Sequence, residues 1–178
     1  MASKTYTTSE INDIYNARKV LIEVLERRGF DTAGYNNFNV NEIQTMTEND
    51  QLDMLLNSKE EDGGEPIKKM FIKYHLTKLS NSAVYDIIDA LFSVDEILGK
   101  KDELIIFLKN KPNVKIQQLV ELIYKRDEIY FNISSIKEYM FNILDHHMVP
   151  KHRVMTNTEK ESVKKRYNIV KDKEFPEI

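Results

Sequence analysis

Glu103-Leu104-Ile105-Ile106-Phe107-Leu108 is the stretch that most narrows what this chain can fold into. A nearly continuous apolar run of six residues is short for a helix and reads as a strand buried on both faces. Strands of that kind belong to sheets covered by helices on either side. Helical patterns do flank it. Asn81 or Ser82 is placed to cap a helix carrying Val84, Ile87, Ile88, Leu91 and Phe92 and continuing toward Ile97-Leu98-Gly99. Beyond the run, Ile116, Leu119, Val120 and Ile123 repeat at helical spacing. Strand, helix, strand and helix in sequence predict an α/β unit, with a right-handed crossover where two strands are parallel.

The first helix is equally legible. Thr7 and Glu10 stand at the spacing of a capping box, Ile11, Ile14, Tyr15, Arg18, Ile22 and Leu25 follow the 3.6-residue period, and Gly29 is placed to end the helix in a left-handed conformation. After a loop from Gly34 to Phe38 and a short helix over Val40 to Met46, Leu52 to Leu56 and Lys69 to Tyr74 read as two strands of a hairpin. Lys59 to Pro66 is its polar, acidic tip, with Gly63-Gly64 at the centre. Glu128 to Ile133 and Tyr139 to Leu144 read as further strands, separated by a turn or short helix over Ser134 to Glu138. Residues 1–144 then make one α/β domain, and residues 145–178 begin another.

The boundary between them is the stretch Asp145 to Lys160. Pro150 lacks an amide hydrogen and biases Val149 toward an extended conformation, so the chain is expected to leave a strand and run extended. Thr156 and Glu159 then form a second capping box, opening a helix to about Tyr167 that packs Val163 and Tyr167 inward.

With 178 residues and 41% hydrophobic content, the chain can build a core. It has no Cys, no signal-peptide pattern and no run near the ~18 apolar residues of a membrane span, so an intracellular, soluble protein is expected. A net charge of −3 and a pI near 5.9 argue against an autonomous nucleic-acid binder, whose domain usually has a pI above about 9. DNA contact must then be local. The residue usage, rich in Asn, Ile and Lys, suits an AT-rich coding sequence such as that of a protist or a large DNA virus. Charge is segregated: Glu42 to Glu65 is mainly acidic, and Lys151 to Lys173 mainly basic.

Catalytic chemistry finds no constellation. A metal nuclease would pair Asp53 with an acid two residues before Lys73, but Phe71 stands there and cannot ligate a metal. His146, His147 and His152 lack Cys partners, and adjacent strand residues His146 and His147 would point to opposite faces, so they are expected to hydrogen-bond the link. No glycine-rich phosphate loop is present, and Ser134-Ser135 has no base close in sequence. No cofactor, metal or small-molecule substrate is expected. Lys109, Lys111 and Lys115 lie in a strand-to-helix loop, where they can meet phosphate without reading sequence or simply solvate a turn.

The run His147, Val149, Pro150, His152, then Thr156 to Glu159, Arg166-Tyr167 and Phe175 to Ile178, resembles the start of the assembly domain of RNA polymerase subunit 5, shared by eukaryotic RNA polymerases I, II and III. Phe175 stands where the family has Leu. Arg18-Lys19 and Arg28-Gly29-Phe30 resemble the family's first helix, so the likeness covers almost the whole chain, tight over 144–178 and loose before. The resemblance implies an N-terminal α/β jaw domain (1–144), with a mixed sheet flanked by helices and lying beside downstream DNA. It implies a small C-terminal α+β assembly domain (145–178), shorter than the family's, that docks on the largest subunit. His147, Val149, Pro150, His152, Arg166, Tyr167 and Pro176 become assembly candidates, and Lys109, Lys111 and Lys115 DNA-contact candidates. The expected role is non-catalytic, in a nuclear DNA-directed RNA polymerase, or in a virion or cytoplasmic viral factory for a viral protein. A stand-alone adaptor, with an acidic hairpin and a basic tail that bind proteins, is the alternative.

Overall fold

Thr7 starts the first element as its side chain dictates: Oγ1 accepts from the Glu10 amide at 3.3 Å while the Glu10 carboxylate accepts from the Thr7 amide at 3.0 Å. The helix, α1, spans Thr8–Arg27 and ends before Gly29, whose φ of +86° is the left-handed conformation expected there. The computed structural model describes residues 6–59, 68–150 and 155–169. The chain divides into two units, Met1–Asn142 and Ile143–Ile178.

In the first unit α1 is followed by α2 (Val40–Glu48), β1 (Met54–Asn57), β2 (Lys69–His75), α3 (Asn81–Asp89), β3 (Glu103–Leu108), α4 (Val114–Asp127) and β4 (Phe131–Ser135). The sheet order is β1-β2-β3-β4; β1 is antiparallel to β2, and the other pairs are parallel. This is the mixed α/β fold expected from the sequence.

The apolar run sits at its centre. Alternation along β3 sends Ile105 and Phe107 into a cluster with Ile14, Leu21, Leu25, Ile43 and Ile72. Leu104, Ile106 and Leu108 go into a second cluster with Val84, Leu91, Ile116, Ile123 and Phe131. Helices α1 and α2 therefore supply the core on one face, and α3 and α4 on the other. At the start of β3 the Glu103 carboxylate accepts from Arg28 Nη2 (3.0 and 3.2 Å) and Lys68 Nζ (2.5 Å), tying the end of α1 and the approach to β2 to the central strand. Burial raises the Glu103 carboxyl, but the bonds from Lys68 and Arg28 outweigh it and hold the group below its ordinary value.

Several expectations need correction. The cap of α3 is Ser80, whose Oγ accepts from the Ala83 amide at 3.2 Å, rather than Asn81 or Ser82. That helix passes into a π-turn over Ala90–Val94, and Glu96 at φ +49° stops it before Ile97. β4 begins at Phe131 instead of Glu128, because Glu128 adopts φ +58° and caps α4 through a bond to the Tyr124 carbonyl. Ser134 and Ser135 are buried at the end of that strand, so the turn or short helix expected over Ser134 to Glu138 starts only at Ile136.

The strand expected over Tyr139 to Leu144 does not form. Ile136–Tyr139 is a 3-10 turn started by Ser135, and it lays the Tyr139 ring edge-on against Phe107, 5.0 Å between centroids. A second 3-10 turn, Ile143–Asp145, follows in the next unit. The acidic tip Glu60 to Pro66 lies outside the described residues. Among the described residues no helix is long and apolar enough to cross a membrane.

Candidate functional site

Parallel strands β2 and β3 deliver their C-terminal ends to one edge of the sheet, the edge where open α/β sheets take ligands. The loop carrying Lys109 and Lys111 lies there, while Lys115, expected in the same loop, stands in the first turn of α4 because Asn113 already caps the helix. Asn113 shapes the loop by accepting from the Ile116 amide at 2.9 Å, which starts α4. Lys111 and Lys115 are exposed, as is Lys78 across a cleft of about 390 Å³ bounded by the 76–79 and 108–113 segments. Lys109 is different: its Nζ donates to the Glu10 carboxylate on α1, and its carbonyl accepts from Ser135 Oγ at 3.4 Å. The Lys109 bond, with help from the Thr7 amide, pulls the Glu10 carboxyl below its ordinary value. The edge therefore presents Lys78, Lys111 and Lys115 as outward cations, with Lys109 engaged in holding the loop to α1.

The remaining polar features are structural in geometry. Asp53 Oδ2 accepts from Lys73 Nζ at 2.5 Å and Oδ1 from the Tyr74 amide at 2.8 Å, so both of its oxygens stitch the approach to β1 onto β2. No three His, Cys, Asp or Glu side chains are grouped to hold a metal among the described residues. The His146 and His147 rings do not point to opposite faces; their centroids are 4.6 Å apart with planes tilted by 34°. The expectation assumed strand alternation, whereas the chain here leaves a 3-10 turn and bends. His146 Nδ1 accepts from the Met148 amide at 3.2 Å and its carbonyl from the Val149 amide at 2.9 Å.

In the second unit Thr156 and Glu159 complete the capping box that opens α5 (Asn157–Tyr167). No residue of α5 is buried, and neither is Ile143 nor any of residues 145–150, 155, 156, 168 and 169. Tyr167, expected to pack inward, is 64% exposed, with the Arg166 guanidinium 5.6 Å from its ring centroid. The cause is compositional: Val163 is the single aliphatic residue of the helix, and one such residue makes no apolar stripe. Of the assembly candidates, His147, Pro150, Arg166 and Tyr167 are exposed and Val149 is half-buried; His152 and Pro176 lie outside the described residues. Ile143, Met148 and Met155 add exposed apolar surface to the same unit.

A model of the family described as RNA polymerase Rpb5, C-terminal domain, matches residues 141–178, the same segment. The chain is similar to RNA polymerase subunit 5. It is 24% identical over 176 residues to the DNA-directed RNA polymerase V subunit 5A of Arabidopsis thaliana, spanning 97% of this chain and 74% of that protein. It is 26% identical over 173 residues to the subunit 5B of RNA polymerases IV and V of the same plant, spanning 95% of this chain and 74% of that protein. The subunit-5 likeness thus extends from the C-terminal segment through the α/β unit.

Arg18 stands on the apolar line of α1 and is buried among aromatic rings in the first unit, a placement that its charge alone does not suggest. A charged residue at Ile14-Arg18-Ile22 spacing was the signal that could have found it.

Proposed function

We propose that the protein is a non-catalytic subunit of a multisubunit DNA-directed RNA polymerase, acting in transcription in the nucleus. Residues 145–178 serve as its assembly domain, docking on the largest subunit, and residues 1–144 form a jaw beside the downstream duplex. The observation that carries this reading is the family match over residues 141–178, a segment that includes the wholly unburied helix α5. A segment with a capped helix and exposed Ile143, Met148, Met155 and Tyr167 gains apolar burial by packing on a partner.

Affinity capture of the tagged full chain from its native source tests the reading. The two large polymerase subunits should co-purify at equal stoichiometry, and deletion of residues 145–178 should abolish their recovery. Capture without polymerase subunits would sink the proposal and favour the stand-alone adaptor.

The jaw role rests on the lysine edge. Each lysine near a phosphate releases condensed counterions, so removing one contact should lessen the salt slope of DNA retention by about one unit, without sequence preference. The chain's net charge of −3 opposes DNA, so the effect belongs to the assembled enzyme. Changing the outward Lys111 and Lys115 to Glu, and leaving Lys109 to hold Glu10, should leave assembly intact and hasten dissociation of elongation complexes across a salt series. Unchanged dissociation and slope would make the loop an ordinary solvated turn.

A further inference from the structure

Arg18 retains only 2% of its surface exposure, and its three nitrogens are treated unequally. Nη1 donates to the Leu52 carbonyl at 2.6 Å. Nε and Nη2 are buried with no hydrogen-bond partner. The rings of Tyr35, Phe38 and Tyr74 surround the guanidinium with centroids 5.8, 5.9 and 5.8 Å from Cζ. Their faces offset part of the buried positive charge and the Tyr74 hydroxyl interacts with the guanidinium, but no ring brings an oxygen into full hydrogen-bond geometry with Nε or Nη2.

Which nitrogens are idle is the informative point. Nε–H and the neighbouring Nη2–H lie side by side along one edge of the planar guanidinium and point the same way, the fork that meets both oxygens of a carboxylate. Nη1 occupies the other edge, and its bond to Leu52 fixes the plane. Arg18 also lines a cavity of about 230 Å³ with Tyr15, Lys19, Tyr35, Phe38 and Ile43. That volume is below the roughly 300 Å³ at which small-molecule pockets begin, so it suits a group the size of one side chain. Lys19 favours an anion at the rim, while Glu23 and Glu26 on the same rim oppose a doubly charged one. The Tyr35 hydroxyl is held by the Leu55 amide and carbonyl at 3.1 Å each, whereas the Phe38 ring, packed against the core cluster, has no polar atom to tether it.

We propose that the Arg18 cavity binds a singly charged carboxylate, held side-on by Nε–H and Nη2–H and enclosed by Tyr35 and Phe38. The carboxylate is that of a small free acid or of an acidic side chain on a partner polypeptide. The site lies within the α/β unit and is separate from both the lysine edge and the C-terminal segment, so its test does not depend on polymerase assembly.

The experiment follows the Arg18 Nε–Hε resonance of the ¹⁵N-labelled full chain during titration with acetate, an N-acetylated glutamate peptide, and inorganic phosphate, at ionic strength matched with chloride. Saturable displacement of that resonance by both carboxylates, with slowed exchange against water, is expected. A peptide binding at least tenfold tighter than acetate identifies the side-chain source, and equal affinities the free acid. Arg18→Lys keeps the charge and removes the fork, and should weaken binding at least tenfold. Phe38→Leu, which leaves Arg18 in place, should alter the affinity without abolishing it and serves where Arg18→Lys fails to fold. No saturable displacement in the parent protein, or a response to phosphate alone, overturns the proposal.

Discussion

Replacing Glu103 by Gln removes one negative charge from the point where α1, β2 and β3 are tied together. The carboxylate is 12% exposed, whereas Arg28 and Lys68 keep 45% and 40% of their side-chain exposure. Removing one partner of a fully buried pair costs about 3–5 kcal/mol, and a fully exposed pair is worth about 0–1 kcal/mol. Here the two cations can return to water when the carboxylate is gone, so no stranded buried charge remains. Gln also keeps an oxygen for one of them. The loss at neutral pH should then be about 1–2 kcal/mol, closer to the surface limit than to the buried one. Because the fold depresses the Glu103 carboxyl, the native state favours the ionised form, and that stabilisation is fully present above the unfolded value of about 4.3. It disappears as pH falls through the lower folded value. Urea denaturation of parent and variant at pH 7 and at pH 3, followed by far-ultraviolet circular dichroism, should show a gap at pH 7 that narrows at pH 3. A gap that is constant across that range, or that widens in acid, would refute the ion-pair account.

Ile106→Ala should cost about 2–5 kcal/mol, since the side chain has no exposed surface and sits at the centre of the sheet; the urea midpoint reads it. Gly29→Ala meets no atom within 4 Å, so its cost comes from the +86° φ alone, about 1–2 kcal/mol in the same assay. Thr156→Ala should cost α5 about 1 kcal/mol, seen as faster amide exchange in residues 157–160 with the α/β unit unchanged. The isolated chain should show no Mg²⁺-dependent cleavage of duplex DNA, because both Asp53 oxygens are engaged by Lys73 and Tyr74; cleavage lost in Asp53→Ala would contradict that geometry.

Features governed by neighbours in sequence were legible before any coordinates. The capping boxes at Thr7 and Thr156 depend on atoms three residues apart, and the left-handed Gly29 on its own missing Cβ. The double burial of β3 was legible too, because an uninterrupted apolar run has no face to offer water. With it came the mixed α/β class, and the likeness to subunit 5 rested on a run of linked local motifs.

Tertiary structure decided whatever depends on partners distant along the chain. Tyr139 to Leu144 has strand-like composition, yet no sheet edge receives it, and the Tyr139 ring packs on Phe107 from a 3-10 turn instead. β4 moved toward Ser135 because Glu128 to Tyr130 were needed to leave α4. His146 and His147 came together once that strand was absent. Lys109 found its carboxylate 99 residues away, leaving Lys111 in the loop and Lys115 in the first turn of α4 as the outward cations. Arg18 shows the division most plainly: helical periodicity put it on the apolar face, but only the fold chose which of its nitrogens met the Leu52 carbonyl and which were left without a hydrogen-bond partner, because hydrogen-bond geometry depends on where other segments of backbone arrive.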